Sequence, residues 1–279
     1  MNPTRIEWAD ATWSPVTGCT PISEGCEHCY AARMAKRLAG RYGYPKDDPF
    51  RVTLHPDRLE EPLRWRKPRK IFVASMSDLF HPDIPFAYLA KVWDTMFDAD
   101  QHVFMILTKR PERMRQFAEW MDAQARRIDY PNVWFGITAE NQRTANERIP
   151  LLLTIPAVLR FVSVEPMLGS INLQGGPYGP DWLIGWDVRA VPTGNPNGDV
   201  EAEQYRTHSL DWVINGAETG SGARPMDYEW ARRLRDDCQD IGIPFFFKRG
   251  NGGEEPPEDL LVREWPSIAT KGGSHDVVK

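Results

Sequence analysis

Nothing in this sequence approaches the roughly 20 consecutive apolar residues that a helix needs to cross a bilayer. Its first residues, MNPTRIEWADATW, lack the charged-then-apolar pattern of a secretion signal. Both absences predict a cytoplasmic protein with no membrane partner. Positive charge is in deficit: 34 Lys and Arg stand against 39 Asp and Glu, a formal net charge of −5. That argues against a wide non-specific nucleic-acid surface but leaves room for a local basic groove. The glycine-rich stretch GAETGSG has the spacing of neither a P-loop nor a G-x-G-x-x-G segment, so it is a weak anion-site signal.

Cysteine is also scarce, with four residues in 279. A secreted disulfide scaffold would spread more of them along a shorter chain. Three of the four, Cys19, Cys26 and Cys29, are crowded into one loop with spacing C-x6-C-x2-C. In a reducing cytosol such crowding points to metal or redox chemistry. Three thiolates with no fourth nearby can hold a metal centre and leave one coordination position open, and an open position is where chemistry happens. Cys238 lies apart in YEWARRLRDDCQDIG, a predicted helix, and reads as a small core residue.

Short apolar runs recur along the chain: 71–75 (IFVAS), 103–107 (VFMIL), 133–137 (VWFGI), 159–164 (LRFVSV), 212–215 (WVIN) and 244–248 (PFFFK), with weaker candidates at 12–17 and 51–54. They are near-continuously apolar, the pattern of strands buried on both faces in a parallel sheet. Helical stripes intervene at Tyr30, Met34 and Leu38, at Tyr88, Val92 and Met96, at Met114, Phe117 and Met121, and at Trp230, Leu234 and Cys238. Strand alternating with helix implies right-handed βαβ units. Their number predicts an α/β fold, a whole or partial (β/α) barrel, with a doubly wound sheet as the structural alternative. Residues 1–250 form a single domain in this reading. Segment 170–209, rich in Gly, Pro and Asn, is a long inserted loop expected on the active face. Residues 251–279 are a polar C-terminal tail.

Ligands of barrels and open α/β sheets bind at the carboxyl ends of the strands. Here those ends carry Ser75, Ser77, Asp78 and His81, then Lys109 and Arg110, Thr138, Glu140 and Asn141, Ser163 and Glu165, Asn215, Glu218 and Arg224, and finally Lys248 and Arg249. Any one of them could serve only to solvate a loop; their recurrence in nearly every unit predicts a common mouth. For the cysteines, spacing alone leaves an iron–sulfur cluster and structural zinc evenly matched. Zinc would need a fourth ligand, and His28 and Cys238 are the candidates.

The segment IEWADATWSPVTGCTPISEGCEHCYAARMAKRL, with SMSDLF, LTKRPERM, GITAEN, FVSVEPMLG, GAETGSGARPM and PFFFKRG, resembles a phage-associated three-Cys-motif family of unknown function over nearly the full chain. Cysteines heading a (β/α) barrel also resemble the radical S-adenosylmethionine superfamily. Its usual spacing is C-x3-C-x2-C, and here the first gap is six residues. What the superfamily resemblance implies is a [4Fe-4S] cluster on Cys19, Cys26 and Cys29 and S-adenosylmethionine as cofactor. His28 would take the aromatic position beside the adenine. Ser75, Ser77, Thr138, Asn141 and Ser163 would line the cofactor, and Asp78, Lys109, Glu140, Glu165 and Glu218 would contact cofactor or substrate.

The expected function is a radical S-adenosylmethionine-like enzyme acting on a nucleic acid or nucleotide-derived substrate, served by an electron donor protein. The alternatives are a non-catalytic protein with a zinc or iron–sulfur staple, binding nucleic acid or a partner protein, and a hydrolase using the strand-end carboxylates. The stretch LRWRKPRK (Arg64, Arg66, Lys67, Arg69, Lys70) is the candidate phosphate contact.

Overall fold

In the computed structural model the strands are, in chain order, β1 (Ala11–Trp13), β2 (Val16–Thr17), β3 (Thr53–Leu54), β4 (Lys70–Val73), β5 (Val103–Thr108), β6 (Val133–Thr138), β7 (Leu159–Val164), β8 (Trp186–Pro192), β9 (Val200–Arg206), β10 (Trp212–Asn215) and β11 (Phe245–Phe247). The helices of two turns or more are α1 (Tyr30–Leu38), α2 (Phe86–Asp98), α3 (Pro111–Asp122), α4 (Gln142–Thr154) and α5 (Tyr228–Ile241). The structure describes residues 4, 6–175, 179–192 and 200–267.

Seven strands form one sheet in the order β1-β4-β5-β6-β7-β10-β11, and each neighbouring pair is parallel. Alternation along each strand explains why the runs read as continuously apolar. Ile71, Val73, Phe104, Ile106, Val133, Phe135, Val162, Val213 and Phe247 pack outward into a layer with α2, α3, α4 and α5. Phe72, Met105, Trp134, Phe161, Trp212, Ile214 and Phe246 point the other way and meet one another. That inner cluster closes on Trp212, whose ring lies 6.2 Å from Trp134 and 6.2 Å from Phe246. Trp8, from the segment before β1, plugs it with its ring 4.6 Å from Phe72.

Helices on one face and an aromatic interior on the other make this a curled half-barrel. The doubly wound alternative would need helices on both faces, and the full barrel would need β1 hydrogen-bonded to β11. Here β1 and β11 are the two ends of the sheet. Side chains bridge the gap instead: Glu7 pairs with Arg249 (3.7 Å) and with Arg263.

Three sequence expectations change. Run 12–17 splits, so that β1 joins the sheet while β2 pairs with β3 in a separate antiparallel ribbon. The described part of segment 170–209 is not a structureless loop. It contains the antiparallel hairpin β8–β9, and Ile171, Leu173, Trp182, Leu183 and Leu210 are buried in the helix-side core. Gln142 of α4 exchanges hydrogen bonds with Asn172, and Gln174 donates to the Asp237 carbonyl of α5. The insertion thus fills the place of a crossover helix between β7 and β10; residues 176–178 and 193–199 lie outside the described residues.

The tail also belongs to the domain as far as it is described. Phe247 N donates to Val262 O (2.8 Å) and Glu264 N to Phe245 O (3.0 Å), which covers the exposed edge of β11. Residues 268–279 lie outside the described residues.

Cys238 is buried in α5, as expected of a core residue, and burial pushes its thiol up. No helix among the described residues is long and apolar enough to cross a membrane.

Gly136 in β6 leaves room for the Phe161 ring: a Cβ there would stand 2.3 Å from the ring. Gly136→Ala is expected to destabilise the protein by about 1–3 kcal/mol through overpacking, read as a lower urea midpoint. Gly136→Ala with Phe161→Leu should recover part of that loss. An unchanged midpoint for the single variant would contradict the interior packing.

Candidate functional site

The cysteine loop lies on the carboxyl rim of the half-barrel, and glycine places its first thiol there. Gly18 follows β2 with φ +86°, and a Cβ would stand 2.2 Å from the Arg51 carbonyl oxygen. Its N–H donates to Met76 O (3.0 Å) and its carbonyl accepts from Ser77 Oγ (2.7 Å), tying the loop to the segment after β4. Cys19 comes next, and Arg110, at the start of α3, reaches it. The guanidinium donates to Cys19 Sγ (3.4 Å), to Thr20 O (2.8 Å) and to Asp78 Oδ2 (2.9 Å). Asp78 is buried and also accepts from Thr108 Oγ1 (2.6 Å), Phe80 N (3.0 Å) and Lys109 N (3.1 Å).

His81 supports the same corner. Its Nδ1 accepts from Asp83 N (3.2 Å), so the proton sits on Nε2 and is donated to Thr20 Oγ1 (2.8 Å). Burial, then the nearby Arg110 cation, lowers its pKa and keeps the ring neutral.

The second corner rests on Glu140. Its carboxylate is fully buried and accepts from Ser23 Oγ (2.5 Å) and Arg148 (2.9 Å), with Lys109 Nζ 3.2 Å away. Gly25 lies directly on it: a Cβ there would stand 2.6 Å from Glu140 Cγ. Lys109 also donates to Gly25 O (3.4 Å). Burial would raise the Glu140 pKa, but Lys109, Arg148 and Ser23 outweigh it and hold the carboxyl below the usual glutamate range. Cys26 closes the 3-10 turn Glu24–Cys26 here, with Ser23 Oγ 3.8 Å from its sulfur. Burial resists its ionisation, yet the Lys109 cation and hydrogen bonds from Ile22 and Ser23 bring its pKa below the ordinary thiol value. Cys19 differs: burial and the Asp78 charge raise it, against the pull of Arg110.

The third corner is Arg224. It donates to Glu24 O (2.8 Å) and pairs with Glu27 (3.0 Å) from one side and with Glu218 (2.6 Å) from the other. Burial raises the Glu218 pKa, but the hydrogen bonds and charge of Arg224 outweigh it and lower it. Cys29 then precedes α1, whose Tyr30 hydroxyl donates to Ser75 O and whose Arg33 donates to Thr219 O (2.7 Å).

The expected residues therefore fall into two sets. Asp78, Lys109, Glu140, Glu218 and Ser77 converge on the cysteine loop, where they hold it through ion pairs and hydrogen bonds. Ser75 meets α1 through its carbonyl. Glu165 pairs with Lys248 across the mouth (2.7 Å), and His28 stands beside Gly222. Asn141 is occupied as the N-cap of α4, in a capping box with Thr144. Thr138 and Ser163 are buried in their strands, the Thr138 carbonyl accepting from Arg148 (2.6 Å). The stretch LRWRKPRK precedes β4, at the amino ends of the strands and so away from the cysteine loop.

Sequence reasoning missed Ser23, Gly25 and Arg148. Arg148 sits on α4, a helix whose one clear sequence signal is the N-cap pattern Asn141–Thr144.

The donor set tests which group would fit. The four cysteines are free, and the three rim thiols are each half-buried. A single zinc ion needs its donors around one point, about 2.3 Å from each sulfur. Among the described residues no group of three His, Cys, Asp or Glu side chains is placed to hold a metal ion as it stands, whether zinc or the iron of a cluster. Each thiolate of a cubane meets its own iron, so its sulfurs need to face a common space rather than a common point. An all-thiolate set beside the cations Lys109 and Arg110 suits such an anionic cluster.

Glu140→Gln leaves Arg148 and Lys109 without their counter-charge and is expected to cost about 3–5 kcal/mol at pH 7. Because the folded-state pKa of Glu140 is depressed, its contribution is complete above the unfolded value of about 4.3 and is lost as pH falls through the folded value. Urea unfolding from pH 7 to 3 should therefore fall less steeply for Glu140→Gln than for the natural protein. Equal slopes would contradict the assigned ion pairs.

Neither the curated proteins nor the solved structures contain a match to this chain. A family profile described as Protein of unknown function (DUF5131) matches residues 3–263. That match spans both the half-barrel and the cysteine loop, and the chain belongs to this family.

Proposed function

We propose that this protein is an iron–sulfur enzyme of the radical S-adenosylmethionine kind, acting on a nucleic acid or nucleotide-derived substrate. The observation that carries the reading is the clamped loop: three free thiols held on the open rim of a parallel half-barrel by Arg110, Glu140 and Arg224. When bound, a [4Fe-4S] cluster with S-adenosylmethionine supplies an electron that cleaves the sulfonium and starts radical chemistry at a substrate C–H bond.

The chain's own residues do the rest. Cys19, Cys26 and Cys29 are the ligands. Lys109 favours the thiolate of Cys26. Arg110 donates to the sulfur of Cys19, and hydrogen bonds to ligating sulfurs tune cluster potential. Below the rim, the aromatic interior around Trp212 keeps water out. The Glu165–Lys248 pair and His28 stand at the mouth, where cofactor and substrate would meet them. The resemblance to a phage-associated family supports a nucleic acid or nucleotide substrate, and an electron donor protein would reduce the centre.

Glu140 and Glu218 are held ionised by their ion pairs, so neither suits the general-acid role in the hydrolase reading.

Anaerobic purification and reconstitution test the proposal. The expected result is about four irons and four sulfides per chain, with 5'-deoxyadenosine released from S-adenosylmethionine on reduction. Cys26→Ala should lose both. One zinc per chain and no turnover would overturn the reading in favour of a structural staple.

A further inference from the structure

Helix α1 is turned the wrong way round for a helix that merely packs. Its buried face is Ala31 and Ala35, while Tyr30 is 48% and Met34 41% exposed. A helix seeking only stability would bury the large side chains and expose the small ones. The loop that follows repeats the pattern. Tyr42 is 73% exposed, with φ +50° between Gly40 and Gly43. A left-handed backbone is unfavourable for a residue with a Cβ, and such conformations concentrate at functional sites. Arg58 holds the turn by donating to Tyr42 O (2.6 Å).

Charge follows the same segment. Residues 30–46 (YAARMAKRLAGRYGYPK) contain five cations, Arg33, Lys36, Arg37, Arg41 and Lys46, and no acid, in a chain whose net charge is −5. Arg33 is spent on the carbonyls of Thr219 and Ser221, which ties α1 to the rim. Among the described residues none of Lys36, Arg37, Arg41 and Lys46 has a carboxylate partner, and Asp47, the first acid beyond them, is taken by Arg51 (3.1 Å). Elsewhere on the surface arginines are commonly ion-paired, as Arg115, Arg126, Arg127, Arg143 and Arg232 are. These four cations thus lie together along α1 and the loop that follows it, with Tyr42 exposed among them, close after the last cysteine.

We infer that the face formed by α1 and the loop to Lys46 is the docking surface for a single-stranded nucleic acid whose reacting nucleotide enters the mouth. The inference rests on the nucleic-acid reading above and names the surface that would carry it. Cations spaced along a helix and loop track a phosphate backbone, and exposed aromatic rings give unpaired bases a platform on which to stack. A duplex would leave those rings without a partner, because its bases are already stacked. The stretch 64–70 cannot serve the same strand, because it lies at the opposite ends of the β-strands.

The test is fluorescence anisotropy with a labelled single-stranded DNA and a labelled single-stranded RNA, each titrated with the full chain between 50 and 200 mM salt. Binding should weaken with salt, with a log–log slope of about −2 if three phosphates are contacted. The triple variant Lys36→Glu, Arg37→Glu, Arg41→Glu should bind at least about tenfold more weakly with a shallower slope. Tyr42→Ala should bind about tenfold more weakly with the slope unchanged, since it removes stacking and no charge. Arg66→Glu with Lys67→Glu, at the far end, should bind as the natural protein does. A triple variant that binds normally overturns the inference. So does binding confined to anionic vesicles or to duplex DNA.

Iron content and 5'-deoxyadenosine release, measured on the same samples, keep this result apart from the enzymatic reading. A triple variant that keeps its iron but loses the oligonucleotide supports the surface. An iron-free natural protein with salt-dependent, triple-sensitive binding also supports the surface while removing the radical chemistry. A protein that carries the cluster yet binds neither oligonucleotide overturns the surface alone.

Discussion

The cysteine loop depends on one buried carboxylate. Residues 18–29 contain only a single 3-10 turn, so the loop cannot be held by a ladder of its own hydrogen bonds. Glu140 supplies the anchor from the end of β6. It lies under Gly25, takes a proton donor from Ser23, and is fixed from behind by Arg148 and from the side by Lys109. A buried charge of this kind is costly unless every acceptor site is matched, and here three donors match it. The same constraint explains Gly25, where any side chain would collide with the carboxyl.

The remaining rim residues extend that logic. Asp78 holds Arg110, and Arg110 holds Cys19 and Thr20; Glu218 holds Arg224, and Arg224 holds Glu24 and Glu27. After β4 and after β10 the acid orients an arginine, and the arginine reaches the loop. This division leaves the Glu165–Lys248 pair, His28 and the outward face of α1 as the groups not spent on the loop itself. Below them the half-barrel is filled by the aromatic cluster around Trp212.

The six strong strands were legible because both of their faces are buried, the outer against helices and the inner against aromatic rings. That double burial writes itself into the sequence as unbroken apolar runs. Helix α5 was legible for a similar reason, ending on Gly242 at φ +79°. The insertion was not. Its hairpin strands alternate apolar and polar residues only over short stretches (WDVRA and VEAE), and its buried residues, Leu173, Trp182 and Leu183, are scattered among Gly and Pro, so no long apolar run marks them. Helix α4 escaped because Arg148 and Pro150 interrupt its apolar stripe. At the site, residue types at strand ends announced a common rim, yet sequence could not say which acid would pair with which base. The stripe Tyr30–Met34–Leu38 shows the limit clearly. Periodicity marks it as one face of a helix, but only packing reveals that the alanine face is the buried one.

If Cys19, Cys26 and Cys29 hold a cluster with one corner left open, as proposed, electron paramagnetic resonance of the anaerobically reconstituted, reduced protein will show a reduced-cluster signal whose g-values shift when S-adenosylmethionine is added. A signal indifferent to that ligand, or no cluster signal at all, would contradict the proposal.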